Sequence, residues 1–148
     1  TLFPYTTLFR SGSEDIFRGD ERVLMCSIFE KGLYPFNGEQ AVGPNMVNVG
    51  LPTRSGSDAF RAAVSEHWIP ALDAFRPELI YISAGFDAHL HDPQADLMVE
   101  TEDFGWLTRQ LREVAERHAA GRIVSMLEGG YDLDALRECT VVHVDALR

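Results

Sequence analysis

A carboxylate, two imidazoles and a second carboxylate fall within six residues: Asp87, His89, His91 and Asp92, in the stretch GFDAHLHDP (85–93). Groups of these types, so crowded, are the donors of a transition-metal site, zinc above all. Their spacing divides them. On a strand Asp87, His89 and His91 would share one face, but Pro93 and the polar run around it make the stretch a loop. Asp87 directly follows an apolar strand candidate, close to a glycine that admits near approach, and is the metal-ligand candidate. His89 stands behind it in a supporting position, and His91 belongs to the solvated surface.

A second stretch, EGGYD (128–132), sets Tyr131 just past Gly129 and Gly130. Two readings stay open. The glycines permit a tight strand-to-helix turn on which Tyr131 packs as an ordinary aromatic. Alternatively, the phenol stands at the mouth of the same cleft and donates a hydrogen bond to an oxyanion developing on a substrate. Nothing matches the GxxxxGK[ST] phosphate loop.

The elements that must position these loops follow from periodicity. Apolar runs at 22–29 (RVLMCSIF), 46–51 (MVNVGL), 78–86 (ELIYISAGF) and 122–130 (RIVSMLEGG) predict strands. The last two are of the kind buried on both faces of a parallel sheet. Residues 30–45, dense in Gly, Pro and Asn, predict a long loop. Phe60, Ala63, Val64, His67/Trp68, Leu72 and Phe75 recur at helical spacing over 59–75, with Ser57 or Asp58 as the cap and a kink at Pro70. Residues 100–120 predict a helix capped by Thr101 and stopped at Gly121, with Phe104, Leu107, Leu111, Val114 and Ala115 as its apolar stripe. Residues 132–148 predict a final helix. Strands alternating with helices in this way give an α/β protein with a mostly parallel sheet. Ligands of such sheets lie beyond the carboxyl ends of the strands, where both chemical loops fall.

Composition bounds the function. The chain has 148 residues and a net charge of −10, which argues against binding nucleic acid through its phosphates. Its two cysteines, Cys26 and Cys139, form no CxxC pair and are expected to be reduced and buried, in a cytoplasmic protein. No apolar run is long enough to cross a membrane, and the N-terminus lacks the layout of a signal peptide.

SAGFDAHLHDP (83–93) followed by VSMLEGGYDLDAL (124–136) resembles the histone deacetylase superfamily, particularly its bacterial class II-like branch of acetylpolyamine amidohydrolases and acetoin-utilisation proteins. EDIFRGDERVLMCSIFEKGLYPFNG (14–38) and VNVGLPTRSGSDAFRAAV (47–64) resemble the segments that lead through a strand to a YPG-type loop and follow it. The likeness runs from Gly12 to Arg148. It implies the C-terminal part of an arginase/deacetylase-like fold, a mostly parallel sheet flanked by helices. It also implies a zinc amidohydrolase acting on acetylated lysine, acetylpolyamines or related N-acetylated amines. On this resemblance Asp87 is one of three zinc ligands, Tyr131 polarises the substrate carbonyl, and Gly129 and Gly130 line the substrate site beside it. Tyr34 forms an aromatic wall of the acyl-lysine channel. Gln94 stands where the family commonly has an apolar channel residue, which leaves acyl and chain specificity open. Ser27 and Ile28 align with backbone carbonyls that hold a monovalent cation such as potassium in many relatives. Phe17, Asp20 and Val23 align with a second such site.

The family's other two zinc ligands lie in an Asp-x-His pattern within a phrase like DVDVHHGNGTEDIF. Here SGSEDIF (11–17) stands instead: Gly12 matches the last Gly, Ser13 the Thr, and Glu14–Phe17 continue it. The catalytic His pair, further upstream in the family, has no counterpart. His67, His118 and His143 lie in helical segments that do not align with it. Three functions are therefore expected to compete: a deacetylase portion inactive by itself, a non-catalytic α/β domain binding acetylated ligands, and a chain active only when assembled with another polypeptide. A parallel sheet whose remaining strands are elsewhere predicts an exposed edge and self-association. Residues 1–11, TLFPYTTLFRS, match no part of the family and resemble a translated sequencing adapter; their composition predicts neither arm, strand nor targeting peptide. The deacetylase-like domain is thus expected over 12–148.

Overall fold

A computed structural model describes residues 2–4, 10–32 and 43–148 of the chain. Its strands are β1 (Leu2–Pro4), β2 (Met25–Glu30), β3 (Met46–Leu51), β4 (Ile80–Ala84) and β5 (Ile123–Leu127). They form one sheet in the order β3-β2-β1-β4-β5, and every pairing is parallel. The four predicted strands are all present. The fifth, β1, corrects the reading of the opening stretch, whose composition predicted no strand. Leu2, Phe3 and Pro4 lie opposite Tyr81, Ile82 and Ser83 of β4, and Leu2 lies opposite Met25 of β2. The physical reason is backbone demand. Without β1, the facing edges of β2 and β4 would carry unpaired N–H and C=O groups inside the molecule, and even three extended residues relieve part of that penalty.

Helix α1 (Arg10–Phe17) precedes β2. The predicted 59–75 helix is α2 (Ser57–Ala63), a π-helical turn (Val64–Trp68) and α3 (Ile69–Phe75) in succession. The feature expected as a proline kink is this π turn. Pro70 has no N–H to return to the preceding turn, and the backbone N–H of Ile69 reaches the Val64 carbonyl five residues back. The wider turn carries Trp68 into the core and leaves His67 exposed. Gly56, not Ser57 or Asp58, is the N-cap of α2; the Ser57 hydroxyl instead donates to Asp103 Oδ2 at 2.6 Å.

Helix α4 (Thr101–His118) is capped by Glu100 rather than Thr101. Asp103 Oδ2 accepts the Glu100 N–H at 2.9 Å, and Asp103 Oδ1 accepts Arg61 Nε at 2.7 Å. Asp103 is fully buried, so its charge is met by α2 and by the start of its own helix at once. The helix ends at Ala119, and the turn is made by Ala120 and Gly121, both at positive φ (49° and 74°). Helix α5 (Leu133–Leu147) is capped by Asp132, which accepts the Ala135 N–H at 2.8 Å.

Phe60, Val64, Trp68 and Leu72 pack with Leu107, Leu111 and Val114 of α4 and with Ile80, Ile82 and Ala84 of β4 in one core. Among the described residues the opposite face is open. Tyr81, Ser83 and Met126 line a groove of about 910 Å³ with Phe17, Val23 and Leu79. The expectation that β4 and β5 are buried on both faces is therefore corrected. β4 alternates between buried and half-buried residues, and Val124, Met126 and Leu127 of the edge strand β5 are exposed. Among the described residues one face has helical cover and the other has little, so strands of similar apolar composition end in different environments.

Candidate active site

The carboxyl ends of neighbouring strands β4 and β5 bring the two chemical loops together. Phe86, just beyond β4, donates its backbone N–H to the Gly129 carbonyl at 2.9 Å, and Glu128 donates to the Ala84 carbonyl at 3.0 Å. The ladder thus continues one step past the strands and brings the Asp87 and Tyr131 loops to the same rim of the sheet, near enough for the Asp87 charge to act on the phenol. Gly130 has φ +128°, and a Cβ there would stand 3.1 Å from Leu136 Cδ1 and 3.3 Å from Phe86 Cβ. Both facts require glycine at the turn. Gly130 is therefore the turn residue that carries Tyr131 back toward β4.

A second device was not read from the sequence. Asp92 is buried, and its Oδ2 accepts the backbone N–H groups of Tyr131 (2.6 Å) and Asp132 (3.3 Å). Its Oδ1 accepts the Gln94 N–H at 2.9 Å, closing a local turn around Pro93. One carboxylate thus folds its own loop and holds the Tyr131 loop. The available signal was the Asp-Pro pair, a turn starter in the middle of a metal-like motif.

His89 is buried as well. Its Nδ1 accepts the His91 N–H at 3.2 Å, which leaves Nε2–H to donate to Thr101 Oγ1 at 3.1 Å. The ring stacks on Phe104, and burial pushes its pKa below the usual histidine value, with a smaller push from His91. His89 is a neutral pin between the Asp87 loop and the start of α4. His91 is exposed, as expected. Asp87 is buried, whereas Tyr131 is 42% exposed. Burial raises the Tyr131 pKa, and the negative charges of Asp87 and Asp92 raise it further. The phenol therefore stays protonated at neutral pH, the form that donates a hydrogen bond.

Glu30, at the carboxyl end of β2, frames the other side. It accepts from Thr53 Oγ1 at 2.6 Å and from the Asp96 N–H at 2.7 Å, tying the 52–55 turn to the far end of the Asp87 loop. An acid closing an otherwise apolar strand was its sequence signal. The Gln94 side chain is exposed on this loop. Ser27 and Ile28 are buried in β2, and the Ser27 hydroxyl has no hydrogen-bond partner among the described residues. Tyr34 lies outside the described residues. Among the described residues no three His, Cys, Asp or Glu side chains stand where they could hold one metal ion. Asp87 alone does not make a zinc site. Cys26 and Cys139 are free and buried. Burial raises both thiols, that of Cys139 to about 11.

The histone deacetylase domain matches residues 11–147. The chain belongs to this family. Among histone deacetylase relatives, the type-2 histone deacetylase 1 of Dictyostelium discoideum is 48% identical over 103 residues, covering 70% of this chain and 7% of that protein. The histone deacetylase-like amidohydrolase of Pseudomonas aeruginosa is 33% identical over 144 residues, covering 93% of this chain and 38% of that protein. Of the solved histone deacetylase-like folds, an acetylpolyamine aminohydrolase from Burkholderia pseudomallei superposes with a TM-score of 0.84 at 27% identity, covering 99% of this chain and 44% of that one. The chain therefore spans less than half the length of these relatives, and its fold is that of the histone deacetylases and acetylpolyamine aminohydrolases.

Proposed function

We propose that this chain carries one part of a zinc-dependent deacetylase site: Asp87 as a metal ligand, Tyr131 as the group that polarises the substrate carbonyl, and Gly129 and Gly130 as the turn that presents it. The observation that carries the reading is the Asp92 bridge, a buried carboxylate spent on fixing the Tyr131 backbone beside Asp87. A turn that merely reversed the chain would need no such anchor, so of the two readings of Tyr131 the functional one is favoured. A protonated, half-exposed phenol at that rim donates to the oxygen of an amide as negative charge develops on it, and preorganisation makes such a donor effective. Zinc, when bound, would polarise the same carbonyl and activate a water.

The substrate class is an N-acetylated amine, either acetyl-lysine in a peptide or an acetylated polyamine. Tyr34 and Gln94 are proposed to face its chain. Ser27, whose buried hydroxyl has no hydrogen-bond partner among the described residues, and Ile28 are proposed to help hold a monovalent cation. Asp87 is the single zinc ligand proposed from the described residues, so the chain by itself is proposed to be inactive. Metal analysis of the purified chain and hydrolysis assays on acetyl-lysine peptides and acetylspermidine test this together. The expected result is no stoichiometric zinc and no turnover, with activity appearing on mixing with a segment that supplies an Asp-x-His pattern. Tight one-to-one zinc with turnover by the chain alone would overturn the inactivity. Binding of acetylated peptide that never leads to turnover, with any added segment, would favour a non-catalytic binding domain.

A further inference from the structure

Three backbone carbonyls converge at the turn between α1 and β2. The Phe17, Asp20 and Val23 oxygens lie 2.8, 3.2 and 2.9 Å from one atom, Asn45 Nδ2. Carbonyl dipoles aimed at a common point are what replaces the hydration shell of potassium where proteins hold it. These are also the positions that the family resemblance assigns to a second monovalent-cation site. The residues do not fit that assignment, because the point where a cation would sit holds an amide nitrogen of the chain.

The rest of the Asn45 side chain agrees with this placement. Its Oδ1 accepts the Gly19 N–H at 3.0 Å, so the oxygen faces a donor and the nitrogen faces acceptors. Reversing the amide would set an oxygen against three oxygens and an NH₂ against an N–H. Asn45 is also fixed at both ends. Its carbonyl accepts the Met25 N–H at 2.9 Å, directly before β3 pairs with β2. Gly19, at φ +71°, gives the turn the conformation in which its N–H meets Oδ1. Two of the three carbonyls already serve the turn itself, since the Asp20 N–H donates to Phe17 and the Val23 N–H to Asp20. The two amide hydrogens are shared among the three carbonyls, as a second donor for Phe17 and Asp20 and a donor for Val23.

We propose that Asn45 is the built-in occupant of this carbonyl cradle, and that the α1–β2 turn is held by the side chain in place of a monovalent cation. An amide and a cation satisfy the same carbonyls, so they exclude one another. Removing the amide opens the cradle to potassium.

The test is the thermal melt of the full chain and of Asn45→Ala in potassium, sodium and choline chloride at equal ionic strength. Any cation held near Ser27 contributes to both chains, so the difference in cation response between them reports the cradle. The expected result is that Asn45→Ala melts lower in choline and recovers about 3–6 °C in potassium beyond any response of the parent chain. Equal responses, or a larger response in the parent, would overturn the proposal. If Asn45→Ala does not fold, anomalous scattering from rubidium-soaked crystals of the parent chain decides. No rubidium at the three carbonyls supports the built-in occupant, and a rubidium peak there with Asn45 displaced refutes it.

Discussion

Asp92 shows how much can rest on one side chain. Its two oxygens accept three backbone N–H groups from two loops. An amide in its place offers one acceptor oxygen, so Asp92→Asn leaves at least one N–H opposed by a donor. We expect a loss of about 1–3 kcal/mol in urea unfolding, with faster hydrogen exchange at the Tyr131 amide than elsewhere in the chain. Tyr131→Phe should behave oppositely. The ring is half-exposed, so stability should change by less than about 0.5 kcal/mol, while any preparation that deacetylates should lose roughly 100-fold or more in kcat. An equal kcat for Tyr131→Phe would remove the phenol from the chemistry. His143 gives a pH prediction. It is buried, with Nδ1 toward Thr108 Oγ1 (2.7 Å) and Nε2 toward Ser125 Oγ (2.8 Å), and burial lowers its pKa. Thr108 already donates to the Phe104 carbonyl, so the imidazole donates from Nδ1 and accepts Ser125 at Nε2, which is the neutral form. Below the unfolded value of about 6.5 the unfolded chain takes up a proton that the fold resists. Stability should therefore fall as pH drops from about 7 toward the lowered folded value, and His143→Gln should flatten the decline in Tm across that window.

At the scale of elements, what could be read from the sequence followed burial. Strands β2 to β5 were legible because their apolar runs are bounded by turn residues, and the α4 stripe from Phe104 to Ala115 is buried as its spacing predicts. What could not be read depended on distant partners. Thr101 looks like a cap until His89 claims its hydroxyl, and Ser57 looks like a cap until the Asp103 carboxylate does. Asp103 itself reads as one more acid in a helix's first turn. Only the fold shows that Arg61, Ser57 and the Glu100 N–H converge on it. Replacing Asp103 with Ala should cost about 3–5 kcal/mol, because Arg61 and two further donors lose a buried charge, and Asp103→Asn should recover part of that. Chemical denaturation of the two variants measures both. The candidate site divides in the same way. Asp87 and the glycine turn carry local signals, whereas the anchoring roles of Asp92 and Glu30 exist only once separate loops meet.

At the scale of the molecule, the uneven cover of the sheet governs behaviour in solution. Val124 (41%), Met126 (44%) and Leu127 (64%) are exposed on an edge strand beside an open groove. Such a surface favours association even against a net charge of −10. We expect sedimentation to show concentration-dependent oligomers, and Val124→Lys with Met126→Glu to shift the chain toward monomer without lowering its Tm. A parent chain that stays monomeric at high concentration and melts sharply would contradict this. Among the described residues no helix is long and apolar enough to cross a membrane.

The sheet also has a mechanical consequence. Strands β3 and β2 are joined over six residue pairs and β4 and β5 over five, but among the described residues β1 meets β2 at a single pair, Leu2 with Met25. Under load that seam should be the weakest line within the sheet, with the shared core and the Glu30–Asp96 and Arg61–Asp103 bonds left to hold the two halves together beside it. Pulling on β3 against β5 would then give a low first rupture force, followed by a higher one as each half yields.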